Sequence, residues 1–279
     1  MAAVNERHGS VEGVETHWLE APAEGPHAPV LYVHGVPTGG WDWRSFLERT
    51  GGYAPDLPGF GESDKLASFD YSIGGYRRWL EAFVEQRGLE RFSLVVHDWG
   101  GVGLALAQAM NERVERLAIV AAVPFLPGYR WHFVARQWRR PLIGELAMGF
   151  TTKFAMRRVL NRSNREPLPS EFVNSVWKSF DHGTQRAILK LYRSAPSDVL
   201  AEAGRDLGAI GAPALVLFGR RDPYMPASLA QQYAEALGGD ATAKVLEDAG
   251  HWPWLDDPAV IDEIASFVTQ ASGTASADA

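Results

Sequence analysis

The chain has no cysteine, which excludes disulfides, thiolate nucleophiles and cysteine-based metal sites. It contains no apolar run approaching the ~20 residues of a membrane-spanning helix, so no membrane partner is expected. Residues Met1 to His8 lack the apolar core of an export signal, and a cytoplasmic location is the expectation. Positive charge is in the minority. With 27 Lys and Arg against 34 Asp and Glu, the net charge of -7 argues against a nucleic-acid partner. There is no H-E-x-x-H and no group of ligands at metal spacing. The glycine loop Gly59-Phe-Gly-Glu-Ser63 does not follow the dinucleotide spacing G-x-G-x-x-G, so neither metal nor nicotinamide or flavin is expected. What remains is an ordinary soluble composition, 46% hydrophobic and 22% charged over 279 residues, enough for one large core. Length alone leaves one domain or two open.

Strands alternate with helices over most of the chain, the pattern of an α/β sheet covered on both faces. Residues 13–20 alternate in period two as an early edge strand, and Pro29 to Val33 reads as a buried strand ending at His34-Gly35. A short helix over 41–48, a glycine- and proline-broken loop over 56–64 and a helix over 71–88 follow. Then come strand 92–97, helix 100–112 and strand 117–122. From Pro124 to about Gly211 helical periodicity continues without a convincing strand. Strand 213–218, a helix near 228–237, a strand near 243–246 and a helix near 259–269 close the pattern. The expected organisation is a core domain of residues 1–123 and 212–279, with 124–211 inserted as a helical cap over the carboxyl edge of the sheet. Ligands bind at that edge in open α/β sheets. The tail, 271–279, is small and polar and is expected to fray.

The chemistry concentrates at three strand ends. His97-Asp98-Trp99-Gly100-Gly101 stands between strand 92–97 and the following helix, the strand–turn–helix setting of a nucleophile elbow, with aspartate where serine is usual. Gly100 allows the helix to approach the strand closely. A carboxylate is already ionised near neutral pH and can displace a leaving group from saturated carbon, giving an alkyl ester. Taken alone, Asp98 reads equally as a helix cap. Strand 213–218 leads into Gly219-Arg-Arg-Asp222-Pro, and the last strand into Gly250-His251. An Asp before Pro is common in turns, and a lone His after Gly is commonly a loop residue. All three side chains leave carboxyl ends of strands, however, in the order nucleophile, acid, histidine of α/β-hydrolases.

With these residues in view, the chain resembles the α/β-hydrolase family and, within it, the Asp-nucleophile branch of epoxide hydrolases and haloalkane dehalogenases. The resemblance rests on His34-Gly-Val-Pro37 with Trp43-Arg44, Asp56-Leu-Pro-Gly-Phe-Gly-Glu-Ser-Asp64, Val96-His-Asp-Trp-Gly-Gly101, Asp222 and Gly250-His251. It implies an α/β-hydrolase fold, a mostly parallel central sheet flanked by helices with an inserted cap. It implies Asp98 as nucleophile, His251 as the base that activates water, and Asp222 as its orienting acid. The backbone N–H groups of Val36 and Trp99 would form the oxyanion hole. His34 would pin its loop, and His97 would pack or hydrogen-bond on the face opposite Asp98.

The leaving-group side separates the two chemistries. In the resembling dehalogenases, halide is held by the tryptophan after the nucleophile, here Trp99, with an Asn or a cap tryptophan. Val36 stands at the Asn position, so Trp131 or Trp138 would have to substitute. The resembling epoxide hydrolases carry an apolar residue at Val36 and two cap tyrosines. Tyr192 matches the second; for the first, Tyr129 is near, while the closer equivalents are Trp131 and His132. Tyr192 reads equally as a core aromatic. Hydrolysis of an epoxide on an apolar small molecule is therefore the first expectation, carbon–halogen cleavage the second. A non-hydrolytic ligand-binding or biosynthetic role is the third. Between Arg130 and Arg165 stand nine Lys or Arg and one acid, Glu145, which suits an anionic substrate, an acidic partner or a solvated helix face. Oligomeric state is not legible.

Overall fold

The computed structural model describes residues 2–23 and 25–270, so the tail 271–279 lies outside the described residues. Eight strands form one sheet in the order β1-β2-β4-β3-β5-β6-β7-β8. β1 (Asn5–Val11) and β2 (Val14–Ala21) form an antiparallel hairpin, and β2 also pairs antiparallel with β4 (Gly52–Pro55). β3 (Val30–Val33), β5 (Phe92–His97), β6 (Val114–Val120), β7 (Ala214–Gly219) and β8 (Ala241–Leu246) run parallel with β4. β1 is absent from the sequence-based expectation. Its residues, Asn-Glu-Arg-His-Gly-Ser-Val, are exposed almost throughout, so no buried face imprints an alternation on them.

Period two governs the central strands. Leu94 and Val96 of β5 pack toward α2 (Ile73–Gln86), α3 (Gly103–Ala109) and α10 (Leu229–Ala236). Val95, between them, packs toward α1 (Arg44–Thr50) and α12 (Ala259–Val268). Both faces are covered, which is why these strands read as continuous apolar runs. α2 starts where expected because the Ser72 hydroxyl accepts from the Gly75 N–H at 3.1 Å. The helix expected from residue 100 begins instead as a 3₁₀ turn, Asp98–Val102, and becomes α-helical at Gly103. The Gly100-Gly101 pair explains the tight start: an added Cβ on Gly100 would lie 2.0 Å from the Val33 carbonyl oxygen.

Between β6 and β7 the chain runs through α4 (Phe133–Trp138), α5 (Ile143–Gly149), α6 (Lys153–Leu160), α7 (Ser170–Ser179), α8 (His182–Ser194) and α9 (Ser197–Ala203), with no strand among these residues. Together with the strand ends, residues of α4, α5, α6 and α8 enclose a cavity. A short helix, α11 (Pro253–Asp256), follows β8 and its loop.

Candidate active site

β5 ends at His97, and the next residue turns sharply: Asp98 has a φ of +49°, a conformation that side chains other than glycine adopt rarely. The turn projects the carboxylate into the cavity. Gly35 is obligatory opposite it, since a Cβ there would lie 2.4 Å from the Asp98 Cβ. The Val36 N–H donates to Asp98 Oδ1 at 2.8 Å, as expected of one oxyanion donor. The peptide joining Val36 and Pro37 is cis. The second expected donor, the Trp99 N–H, makes no hydrogen bond to Asp98. It lies in the first turn of a 3₁₀ helix, where leading N–H groups have no helical partner, and remains uncommitted.

His251 completes the arrangement from the loop after β8. Its Nδ1 meets Asp222 Oδ2 at 2.7 Å, and its Nε2 lies 3.6 Å from Asp98 Oδ2. The first distance is a hydrogen bond; the second is an ion-pair distance too long for one. Asp222 is itself held, its Oδ1 accepting from the N–H groups of Tyr224 at 2.7 Å and Met225 at 3.0 Å. Burial opposes a charge on His251, but Asp222 and Asp98 outweigh it and push the imidazole up to about 10. Burial likewise opposes ionisation of Asp98, yet His251 holds its carboxyl below the usual range. Both shifts favour an imidazolium between the two carboxylates.

The neighbouring histidines hold the frame. His97 Nε2 donates to the His251 carbonyl at 2.9 Å, and burial lowers its pKa to about 3, so it is a neutral support. His34 Nδ1 donates to the Gly35 carbonyl at 2.7 Å while its Nε2 accepts from the Leu57 N–H at 2.9 Å. Burial keeps that ring neutral too, and it pins the loop as expected.

The cavity, about 200 Å³, is walled by apolar side chains that include Val36, Trp138, Met148, Met156, Phe180 and Ile188. Its other polar side chains are His132, Thr151, Tyr192 and Tyr224, and no Lys or Arg lines it among the described residues. The Thr151 hydroxyl donates to the Ala147 carbonyl at 2.7 Å, and that of Tyr224 is bonded to Ser163 at 2.9 Å. Two groups keep a hydrogen to give. The Tyr192 hydroxyl lies within reach of the Trp99 indole N–H, which can only donate, so its own hydrogen is uncommitted among the described residues; its ring is held by Trp99 (5.1 Å), Trp131 (5.0 Å) and Trp138 (5.1 Å). Burial, reinforced by the Asp98 charge, raises its pKa far above the ordinary value, so the proton stays on. His132 caps α4, its Nδ1 accepting from the Ala135 N–H at 3.4 Å. Burial lowers its pKa to about 4, leaving a neutral ring whose Nε2 carries the hydrogen.

Three expected leaving-group residues lie elsewhere. The Trp131 indole is spent on the Ala195 carbonyl at 2.9 Å, and its ring stacks on Trp99 at 5.4 Å. Tyr129 directs its hydroxyl to the Tyr224 carbonyl at 3.5 Å, outside the cavity lining. Trp99 is fully buried behind the site and outside the cavity lining; the Tyr192 hydroxyl is the acceptor near its indole N–H. Tyr224, which packs edge-on against His251 at 5.1 Å, is a lining residue that sequence reasoning missed. Its place two residues after Asp222 was the available signal. Asp42 had no such signal. It lies buried beneath Trp252, accepting from that indole at 3.2 Å, and burial raises its pKa to about 7.

Residues 28–258 match the family model described as the alpha/beta hydrolase fold. A haloalkane dehalogenase of Mycobacterium marinum is 32% identical over 230 residues, covering 75% of this chain and 73% of that protein. Among solved structures, the epoxide hydrolase CorEH superposes with a TM-score of 0.82 at 20% identity, covering 95% of this chain and 98% of that one. The haloalkane dehalogenase DbeA from Bradyrhizobium elkani superposes with a TM-score of 0.81 at 24% identity, covering 95% and 98%. Both structural likenesses concern the fold.

Proposed function

The chain belongs to the α/β-hydrolase fold family, and from that premise we propose that it opens epoxides through an ester on Asp98. Asp98 Oδ2 attacks an epoxide carbon, the carbon–oxygen bond of the ring breaks, and the leaving oxygen takes the Tyr192 proton while the His132 N–H also donates to it. Esterification removes one of the two charges that hold the proton on His251. The released proton restores the Tyr192 hydroxyl. Neutral His251, oriented by Asp222, then takes a proton from water as its oxygen attacks the ester carbonyl. Val36 N–H, with the uncommitted Trp99 N–H, holds the resulting oxyanion. The second water proton leaves with the departing alkoxide, so the products are the diol, the Asp98 carboxylate and imidazolium. No metal or cofactor takes part.

One observation carries this reading. The Tyr192 hydroxyl and the His132 imidazole, each with a hydrogen not given to any acceptor among the described residues, line the same apolar cavity as Asp98. An alkoxide must be protonated as it leaves; a halide needs only N–H donors. The lining, without Lys or Arg, favours a neutral apolar substrate over an anionic one. Displacement of halide is the second reading, supported by the similarity to a haloalkane dehalogenase of Mycobacterium marinum, 32% identical over 230 residues.

The test is His251→Gln treated with styrene oxide. The expected result is an intact-mass increase of one epoxide, carried by the peptide containing Asp98, because ester formation no longer leads to hydrolysis. Turnover by this variant without an adduct would overturn the proposal. Bromide release from 1-bromobutane by the unaltered enzyme, with no diol from styrene oxide, would select the second reading.

A further inference from the structure

We propose that the outer face of α4, α5 and α6 docks on an anionic lipid surface, with the mouth of the cavity opening into that contact. Three features of one surface lead there. Phe133, Leu142, Leu146, Phe150 and Phe154 stand 59–79% exposed. Among the described residues, only Val199 is an exposed large apolar side chain outside residues 133–159. A concentrated patch of this kind marks an interaction site rather than ordinary scatter.

The same face is basic. Arg130, Arg136, Lys153, Arg157, Arg158 and Arg162 are exposed, and among the described residues none pairs with a carboxylate. The only acid between Arg130 and Arg165, Glu145, is held by Arg193 at 2.7 Å. Phe154, Arg157, Arg158, Asn161 and Arg162 line a hollow on the surface. Clustered guanidinium forks at such a hollow match phosphate oxygens. Phenylalanine and leucine tips between unpaired arginines are the pattern of an element lying in a lipid interface.

The mouth of the catalytic cavity lies on this face. Ala147, Thr151, Ala155 and Val159 line the cavity, yet reach the surface on and between α5 and α6, beside Leu146, Phe150 and Phe154. A docked molecule would draw apolar substrate from the bilayer without passage through water. That delivery role rests on the reading under Proposed function; the docking does not. A second copy of the chain fits this face poorly, because an isologous contact would bring like charges together. No helix among the described residues is long and apolar enough to cross a membrane, so the contact is superficial.

The full chain and its Asp98→Asn variant are sedimented with phosphatidylcholine vesicles, with and without ~30% phosphatidylglycerol. Both proteins should pellet with the anionic vesicles only, and be released by ~0.5 M NaCl. Phe150→Ser with Phe154→Ser, and separately Arg157→Glu with Arg158→Glu, should weaken binding ~10-fold or more. The inference fails if the unaltered chain stays in the supernatant, or if the Arg157→Glu, Arg158→Glu protein pellets undiminished. It fails equally if light scattering finds a dimer that Phe150→Ser with Phe154→Ser dissociates, since a second copy then covers the face. Binding by Asp98→Asn separates this outcome from failure of the catalytic reading.

Discussion

On the sheet side of the molecule, exposed arginines have carboxylate partners: Arg49 with Asp262, Arg78 with Asp70, Arg220 with Glu247 and Arg221 with Asp248. Large apolar side chains there are inside. On the cap, Arg136, Arg157, Arg158 and Arg162 have no carboxylate partner among the described residues, and five phenylalanines and leucines face outward. Exposed ion pairs contribute little to stability, so the contrast does not concern how firmly either region folds. It concerns what each surface meets. The sheet side is finished for water; the outer cap has charges and apolar area left for something else. Between them lies the cavity, whose candidate catalytic groups come from strand ends and whose candidate donors come from the helices between β6 and β7.

The sharpest way to break this comparison is to cut into each region. Leu94→Ala, in the middle of β5 and fully buried, should cost ~2–5 kcal/mol by urea unfolding. Phe154→Ser, on the outer cap, should change stability by less than ~0.5 kcal/mol. Comparable losses would show that the outer cap apolar residues are structural after all.

A second effect comes from the buried charges. The folded pKa of His251, about 10, lies above its ordinary 6.5, so the charged histidine stabilises the fold. This contribution is fully present below pH 6.5 and fades as pH rises toward 10. Unfolding midpoints measured across that range should fall more steeply for the unaltered chain than for His251→Gln. Equal slopes would mean that the imidazolium–carboxylate pair is not the resting state.

Tyr192→Phe should lower kcat for styrene oxide by ~10- to 100-fold, less than full loss of an acid because His132 still donates. Any halide release from 1-bromobutane should change little, since a halide leaves unprotonated. A parallel fall in both activities would assign Tyr192 to packing against its three tryptophans rather than to proton donation.

The parallel strands other than β4, which has only four residues, and the order Asp98, Asp222, His251 were legible because buried strands leave apolar runs and the candidate site residues follow them. β1 was not, since a strand wet on both faces carries no pattern. Of the two expected oxyanion donors, the Val36 N–H reaches Asp98 Oδ1, while the Trp99 N–H stands in the first turn of a 3₁₀ helix. In the cap, Tyr192 and His132 reach the cavity, but Tyr129 and Trp131 do not. Nothing local distinguishes them. Trp131 is withdrawn only because the Ala195 carbonyl, far along the chain, arrives at its indole nitrogen.

The amino-acid order by itself determined six of the eight strands, the turn that projects a carboxylate, and the acid and histidine at two later strand ends. These follow from short-range rules: apolar runs, glycines at close approaches, and side chains leaving a strand. Tertiary structure alone decided which cap groups point at Asp98, and that the unpaired arginines face outward rather than into the cavity. That decision belongs to the packing of helices over a sheet, where a side chain's direction depends on neighbours distant in sequence.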